Sequence, residues 1–101
     1  MPAAYLIVES NITDPEAFKR YMAAAPEVVK AFGGEYLVRG GRMQVLEGDW
    51  QPPRLTVLHY PSFEQAQLMY DSPAYVHARS LRQGATACFN MVLVEGVEAP
   101  V

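Results

Sequence analysis

The stretch from Ala87 to Glu95 is apolar on both of the faces a β-strand presents. Side chains alternate across a strand, so Phe89, Met91 and Leu93 point one way while Cys88, Val92 and Val94 point the other. The run near the start of the chain repeats the pattern, with Leu6 and Val8 opposed to Tyr5 and Ile7. A sheet that met water on one face would carry polar residues there. These strands do not, so both faces of their sheet need cover.

The rest of the chain supplies cover for one face. Residues 4–9 read as the first strand, and Asn11 to Pro15 supplies turn chemistry with Asp14 as N-cap and Pro15 in the first helical position. Phe18, Tyr21, Met22, Ala25, Val29 and Phe32 then form one apolar stripe along a helix. Pro26 is expected to kink or interrupt it, and Gly33 and Gly34 to end it. Glu35–Val38 and Met43–Leu46 are both strand-like, and Gly40-Gly41 between them permits a tight hairpin or a bulge in one long strand. Gly48–Pro53 reads as loop and Arg54–Tyr60 as strand, stopped by Pro61.

Ser62 and Gln65 have capping-box spacing, so a second helix begins at Phe63. Asp71-Ser72-Pro73 interrupts it, Ser72 caps a further segment running to about Gln83, and Ala87–Glu95 is the last strand. The order β-α-β-β-α-β is the ferredoxin-like pattern, an α+β fold with an antiparallel four-stranded sheet. It occupies residues 1–101 as a single domain. Its helices cover one sheet face. The other would exceed the roughly 300 to 600 Å² apolar patch usual on monomers, unless loops and termini close it. The expected cover is a second copy, in a twofold homodimer through the sheet face.

Charge narrows the partners. Eight basic against 11 acidic residues leave a formal charge of -3, with no electrostatic footprint for nucleic acid. No apolar run approaches the roughly 18 residues of a membrane span, and Met1-Pro2-Ala3-Ala4 leads into a strand rather than a secretory signal. Cys88 is the single cysteine, in an apolar run with no cation beside it to stabilise a thiolate. A cytoplasmic, reducing setting fits these features.

No metal-ligand spacing, nucleophilic triad or glycine-rich phosphate loop is present in the sequence, so no cofactor is expected. His59 shares a strand face with Leu55 and Val57, and reads either as a hydrogen-bonded core histidine or as a pocket acid or base. Arg39, followed by Gly40-Gly41, offers a fork for a small carboxylate, or else an ion pair with Glu47 that holds a hairpin in register. Glu47-Gly48-Asp49-Trp50 suits a lid over a pocket, and Trp50 equally suits an interface anchor. Tyr70 and Tyr75 flank Ser72-Pro73 and suit either packing or an aromatic or carbonyl ligand. His77 lies on a helix and is expected to face solvent.

The segments Phe32–Gly41, Val45–Trp50 and Arg54-Leu55, with Pro61–Ala66, Tyr70–Tyr75 and Arg82, resemble domain-of-unknown-function family 1330 of the dimeric α/β-barrel superfamily. The resemblance spans nearly the whole chain. It implies a ferredoxin-like fold whose sheets pair face to face in a dimer, and related families include cofactor-independent monooxygenases, isomerases, cyclases and haem enzymes. The residues and the resemblance together lead to an expected small-molecule pocket between sheet and helices, lined by Arg39, Glu47, Trp50, His59 and Tyr75. Its ligand would be a small organic acid or aromatic metabolite. Turnover there would be cofactor-independent; the alternatives are a non-catalytic binding or accessory module and a purely structural dimer.

Overall fold

A computed structural model describes residues 2–98. The elements run β1 (Ala4–Ile12), α1 (Pro15–Ala31), β2 (Glu35–Arg39), β3 (Leu55–Tyr60), α2 (Phe63–Asp71), α3 (Pro73–Ser80) and β4 (Thr86–Glu95). The strands lie in the order β2-β3-β1-β4, each antiparallel to its neighbour. This is the ferredoxin-like α+β arrangement. Among the described residues, no helix is long and apolar enough to cross a membrane.

Register sorts the strand residues between two faces. Leu6 pairs with Leu58 and Leu93, and these side chains join Val8, Tyr60 and Met91 beneath the helices. Val29 of α1, Ala66 and Met69 of α2, and Tyr75 and Ala78 of α3 complete that core. On the opposite face Tyr5 stands between His59 and Val94, and Ile7 between Val57 and Val92. That face is apolar and open in the single chain, with Val92 59% exposed.

Caps set the helix boundaries. Asp14 accepts a hydrogen bond from Ala17 N at 3.1 Å, and Ser62 accepts one from Gln65 N at 3.1 Å. Ser72 serves two helices: its hydroxyl donates to Met69 O at the end of α2 and accepts from Tyr75 N at the start of α3. The helical path after Ser72 is shorter than expected, because α3 ends at Ser80 and residues 81–84 form turns.

Pro26 does not interrupt α1, which continues through it as one helix of 17 residues. A proline has no N–H for the carbonyl four residues earlier, here that of Met22. Arg39 of β2 takes that place, its Nη2 donating to Met22 O at 3.4 Å. The helix closes where Gly33 N bonds Lys30 O and Gly34 N bonds Val29 O. A methyl group on Gly34 would lie 2.6 Å from Cε1 and Cζ of Tyr60, so only glycine lets the chain pass this ring.

The strand expected over Met43–Leu46 does not form. Residues 41–54 carry no strand, so neither a tight hairpin nor a long bulged strand describes Gly40-Gly41. β2 ends at Arg39, and Gly40 N donates to Leu55 O at 2.9 Å as the chain leaves the sheet. β2 is an edge strand, and Met43, Val45 and Leu46 are exposed with no neighbouring strand to join. A bulge does occur, inside β2 between Tyr36 and Val38.

Candidate functional site

A cleft opens between the helix-covered face of the sheet and α1 and α3. Its floor is apolar, from Val8, Leu58 and Met69, and its polar groups are Tyr21, Tyr36, Arg39, Arg54, Thr56, Tyr75 and Ser10. The cleft spans about 540 Å³ counting its open mouth, of which about 40 Å³ admits the centre of a water molecule. The interior is therefore narrow.

Two arginines mark one side. Arg39 stacks over the Tyr36 ring at 4.5 Å from its centroid while it donates to Met22 O. Arg54 lies just before β3 at the parity of Thr56 and Leu58, which turns it to the same face. Its Nε is enclosed and has no hydrogen-bond partner among the described residues. Gly40 makes room for it: the backbone there has φ +70°, and a Cβ would stand 2.7 Å from Arg54 Nε. The residue is glycine both for its conformation and for this approach.

Two phenols mark the other side. The hydroxyls of Tyr21 and Tyr75 are 2.6 Å apart, one donating to the other. Burial raises the pKa of both, foremost among the causes. Either hydroxyl can serve as the donor of this bond. Arg82 stacks 4.9 Å from the Tyr21 centroid and 3.7 Å from that of Phe89, and its charge favours the ionised form of both tyrosines. Arg79 stacks 4.4 Å over Tyr70. Tyr36 is also raised, chiefly by burial, and lies within electrostatic reach of Arg39, Arg54 and Tyr75.

Of the residues singled out from sequence, the structure brings Arg39 and Tyr75 to this cleft. His59 lies on the opposite sheet face, which corrects its expected position between sheet and helices. It does share a face with Leu55 and Val57, but Leu58 and Tyr60 take the helix side of β3. There its Nδ1 lies 3.3 Å from Glu35 Oε1 and its ring meets Tyr5 edge-on at 5.6 Å. Glu47 is exposed in the 41–54 loop, and no hairpin forms there to bring it into register with Arg39. Trp50 is 58% exposed and its Nε1 donates to Glu9 Oε2 at 3.2 Å, which ties the loop toward the open sheet face rather than over the cleft. Asn90 Nδ2 donates to the other Glu9 oxygen. Among the described residues, no group of three or more His, Cys, Asp or Glu is arranged to hold a metal ion.

Tyr21, Tyr36 and Arg54 complete the cleft without having been assigned to it. Tyr21 is indistinguishable in sequence from its neighbours on the apolar stripe of α1. For Arg54 the signal was present: an arginine at the same parity as Thr56 and Leu58 faces the covered side of the sheet.

Fold and cleft together define a ferredoxin-like α+β domain with a narrow pocket rich in hydrogen-bond donors. The chain belongs to a domain of unknown function, the DUF1330 family, whose pattern matches residues 3–97. It is similar in structure to a protein of unknown function from Rhodopseudomonas palustris, at 18% identity and TM-score 0.77 over 97% of this chain and 85% of that one. A dimeric ferredoxin-like protein of unknown function from Thermobifida fusca aligns at 13% identity and TM-score 0.61, over 93% of this chain and 91% of that one. A protein named antibiotic biosynthesis monooxygenase aligns at 14% identity and TM-score 0.55, over 96% and 99%. At these identities the likeness is one of fold. No curated protein matches the chain.

Proposed function

We propose that this protein binds a short organic acid in the cleft between sheet and helices, and that it does so as a homodimer closed through the open sheet face. The observation that carries the ligand reading is Arg54, whose enclosed Nε lacks an acceptor in a cleft also lined by Arg39. Buried donors are normally paired, and a guanidinium matches a carboxylate with two parallel bonds. No carboxylate is among the residues that line the cleft. Size selects among acids. A benzene-sized guest occupies a cavity of about 150 Å³, so with about 40 Å³ of such interior the cleft suits a chain of a few carbons, and a ring reaches only its mouth.

The lining also bears on turnover. It contains no carboxylate, imidazole, amine or thiol to take a proton, and the phenols, with raised pKa, stay protonated near neutrality. Binding without proton abstraction is the function this arrangement supports best. Cofactor-independent oxygen chemistry is the second reading; it draws on the fold neighbour named a monooxygenase and would need a substrate that enters already as an enolate or phenolate, since a carboxylate does not reduce oxygen and the lining holds no base. The dimer reading draws on the exposed apolar side chains of the open face, Val92 and Val94 among them, and on the Thermobifida fusca neighbour described as dimeric. A cytoplasmic setting accords with the single free cysteine.

Thermal unfolding with acetate, propionate and butyrate tests the site. A ligand at 100 times its dissociation constant adds about 2.7 kcal/mol, which raises the midpoint of a domain this size by on the order of 10 °C. Arg54→Gln should abolish the rise. If none of the three acids raises the midpoint of the unmodified protein, the ligand reading fails.

A further inference from the structure

We infer that a second groove, between α2 and the β4 side of the sheet, binds a small organic amine with an apolar body, its ammonium group set against Asp71. The groove shares Leu6 and Met91 with the first cleft but none of that cleft's polar groups, so this inference does not depend on what the first cleft binds. It spans about 640 Å³ counting its open mouth, of which about 280 Å³ admits the centre of a water molecule, against about 40 Å³ in the first cleft. A benzene-sized guest occupies a cavity of about 150 Å³. The groove therefore has room for a ring and a short arm. Its wall is apolar, from the small side chain of Ala66 on α2 and from Met91 and Leu93 on β4, which stay half-buried, and covering such a wall is favourable. A second copy on the open sheet face does not cover it, because Met91 and Leu93 turn to the helix side and Val92 and Val94 to the other.

The charge of the occupant follows from the polar groups. Phe63, Gln67, Tyr70 and Asp71 recur at helical spacing, so one stripe of α2 supplies a ring contact and all the polar side chains of the lining. Asp71 is the single charged residue among them. Its carboxylate has no hydrogen bond or ion pair among the described residues. Capping does not occupy it, since Ser72 caps α3, and α2 has no basic residue in its last turn to neutralise it. Arg79 is committed to the Tyr70 ring, 4.4 Å from its centroid, and leaves Asp71 unpaired. A neutral molecule of the same shape would cover the wall and leave that charge unanswered. An ammonium group answers it, and its three hydrogens meet acceptors in Asp71, Gln67 and Tyr70. The two cavities are thus opposite in sign: arginines without a carboxylate in one, a carboxylate without a cation in the other.

Titration calorimetry of the full chain with benzylamine, benzyl alcohol and methylamine tests the inference. Benzylamine should bind about fivefold more tightly than benzyl alcohol, the return expected from one partly exposed ion pair. Methylamine, which has the charge without the apolar body, should bind at least about tenfold more weakly than benzylamine. Asp71→Asn alters an exposed side chain and should bring benzylamine and benzyl alcohol within about twofold of each other. Ala66→Leu fills the groove and should weaken both by about tenfold or more; where that variant does not fold, the Asp71→Asn comparison decides. Absence of benzylamine binding, equal binding of benzylamine and benzyl alcohol, methylamine binding as tight as benzylamine, an amine preference that survives Asp71→Asn, or unchanged affinity in a folded Ala66→Leu protein each overturns the inference.

Discussion

Tyr21 and Tyr75 tie α1 to α3 through their hydroxyls, 2.6 Å apart, with their rings meeting edge-on at 6.3 Å. The two helices have no other side-chain hydrogen bond between them among the described residues. The pair therefore contributes to the packing of the helical layer as well as to the cleft.

Phenylalanine at either position should cost about 1 kcal/mol, the usual net contribution of one hydrogen bond. The double variant should cost little more than either single one, because both remove the same bond. Urea unfolding of the four proteins measures this; additive losses would mean the contact contributes nothing.

Stability should fall steeply in alkali. Tyr21, Tyr36, Tyr60 and Tyr75 all have pKa values raised above the ordinary 10.0, burial being the first cause in each. The folded state therefore holds these protons more tightly than the unfolded chain, and their contribution is complete below pH 10 and lost as pH rises above it. Each such tyrosine removes up to about 1.4 kcal/mol per pH unit there. Denaturation midpoints from pH 8 to 11.5 should stay level and then drop, and Tyr21→Phe should make the drop shallower. A flat profile to pH 11.5 would refute the burial of these phenols.

Gly34→Ala should destabilise the fold by about 1 to 3 kcal/mol, the range for overpacking a filled site. The added methyl meets Tyr60 ring carbons at 2.6 Å and Val29 Cγ1 at 2.8 Å, and both partners belong to the core. Chemical unfolding reads the loss directly.

Adjacent residues of β4 should respond in opposite ways to the same charge. Met91 packs against the core under the helices, while Val92 stands on the open face. Met91→Asp should unfold the chain, since it buries an unpaired carboxylate. Val92→Asp should leave a folded domain, visible by circular dichroism, but convert a dimer to monomer in size-exclusion with light scattering. A monomer already present in the unmodified protein at low micromolar concentration would remove the homodimer from the proposed function.

Period-two patterning made most of this fold legible. Leu6, Val8, Phe89, Met91 and Leu93 fall on one face as their parity requires, and the caps at Asp14, Ser62 and Ser72 lie where side-chain chemistry puts them. Parity alone does not say which face the helices choose, so it groups His59 with Leu55 and Val57 without revealing that theirs is the open side of β3. Nor does strand propensity ensure a strand: Met43–Leu46 has the composition but no neighbour to pair with. Tyr21 was hidden for another reason. Its role depends on a hydroxyl contributed by Tyr75, and no local pattern links residues so far apart in the chain.

The proline in α1 has a consequence at a distance. Any other residue at position 26 would bring a backbone N–H to the carbonyl of Met22, in competition with Arg39 Nη2. The helix would gain a bond, and the Arg39 contact at 3.4 Å would weaken because the carbonyl would then serve two donors. Arg39 would swing more readily between the Tyr36 ring and water, and on the proposed function ordering it again would fall to the ligand as an entropic cost. On the proposed function, position 26 thus bears on how ready the cleft is for an anion without its side chain having to reach one, and a helix-strengthening exchange there would weaken recognition.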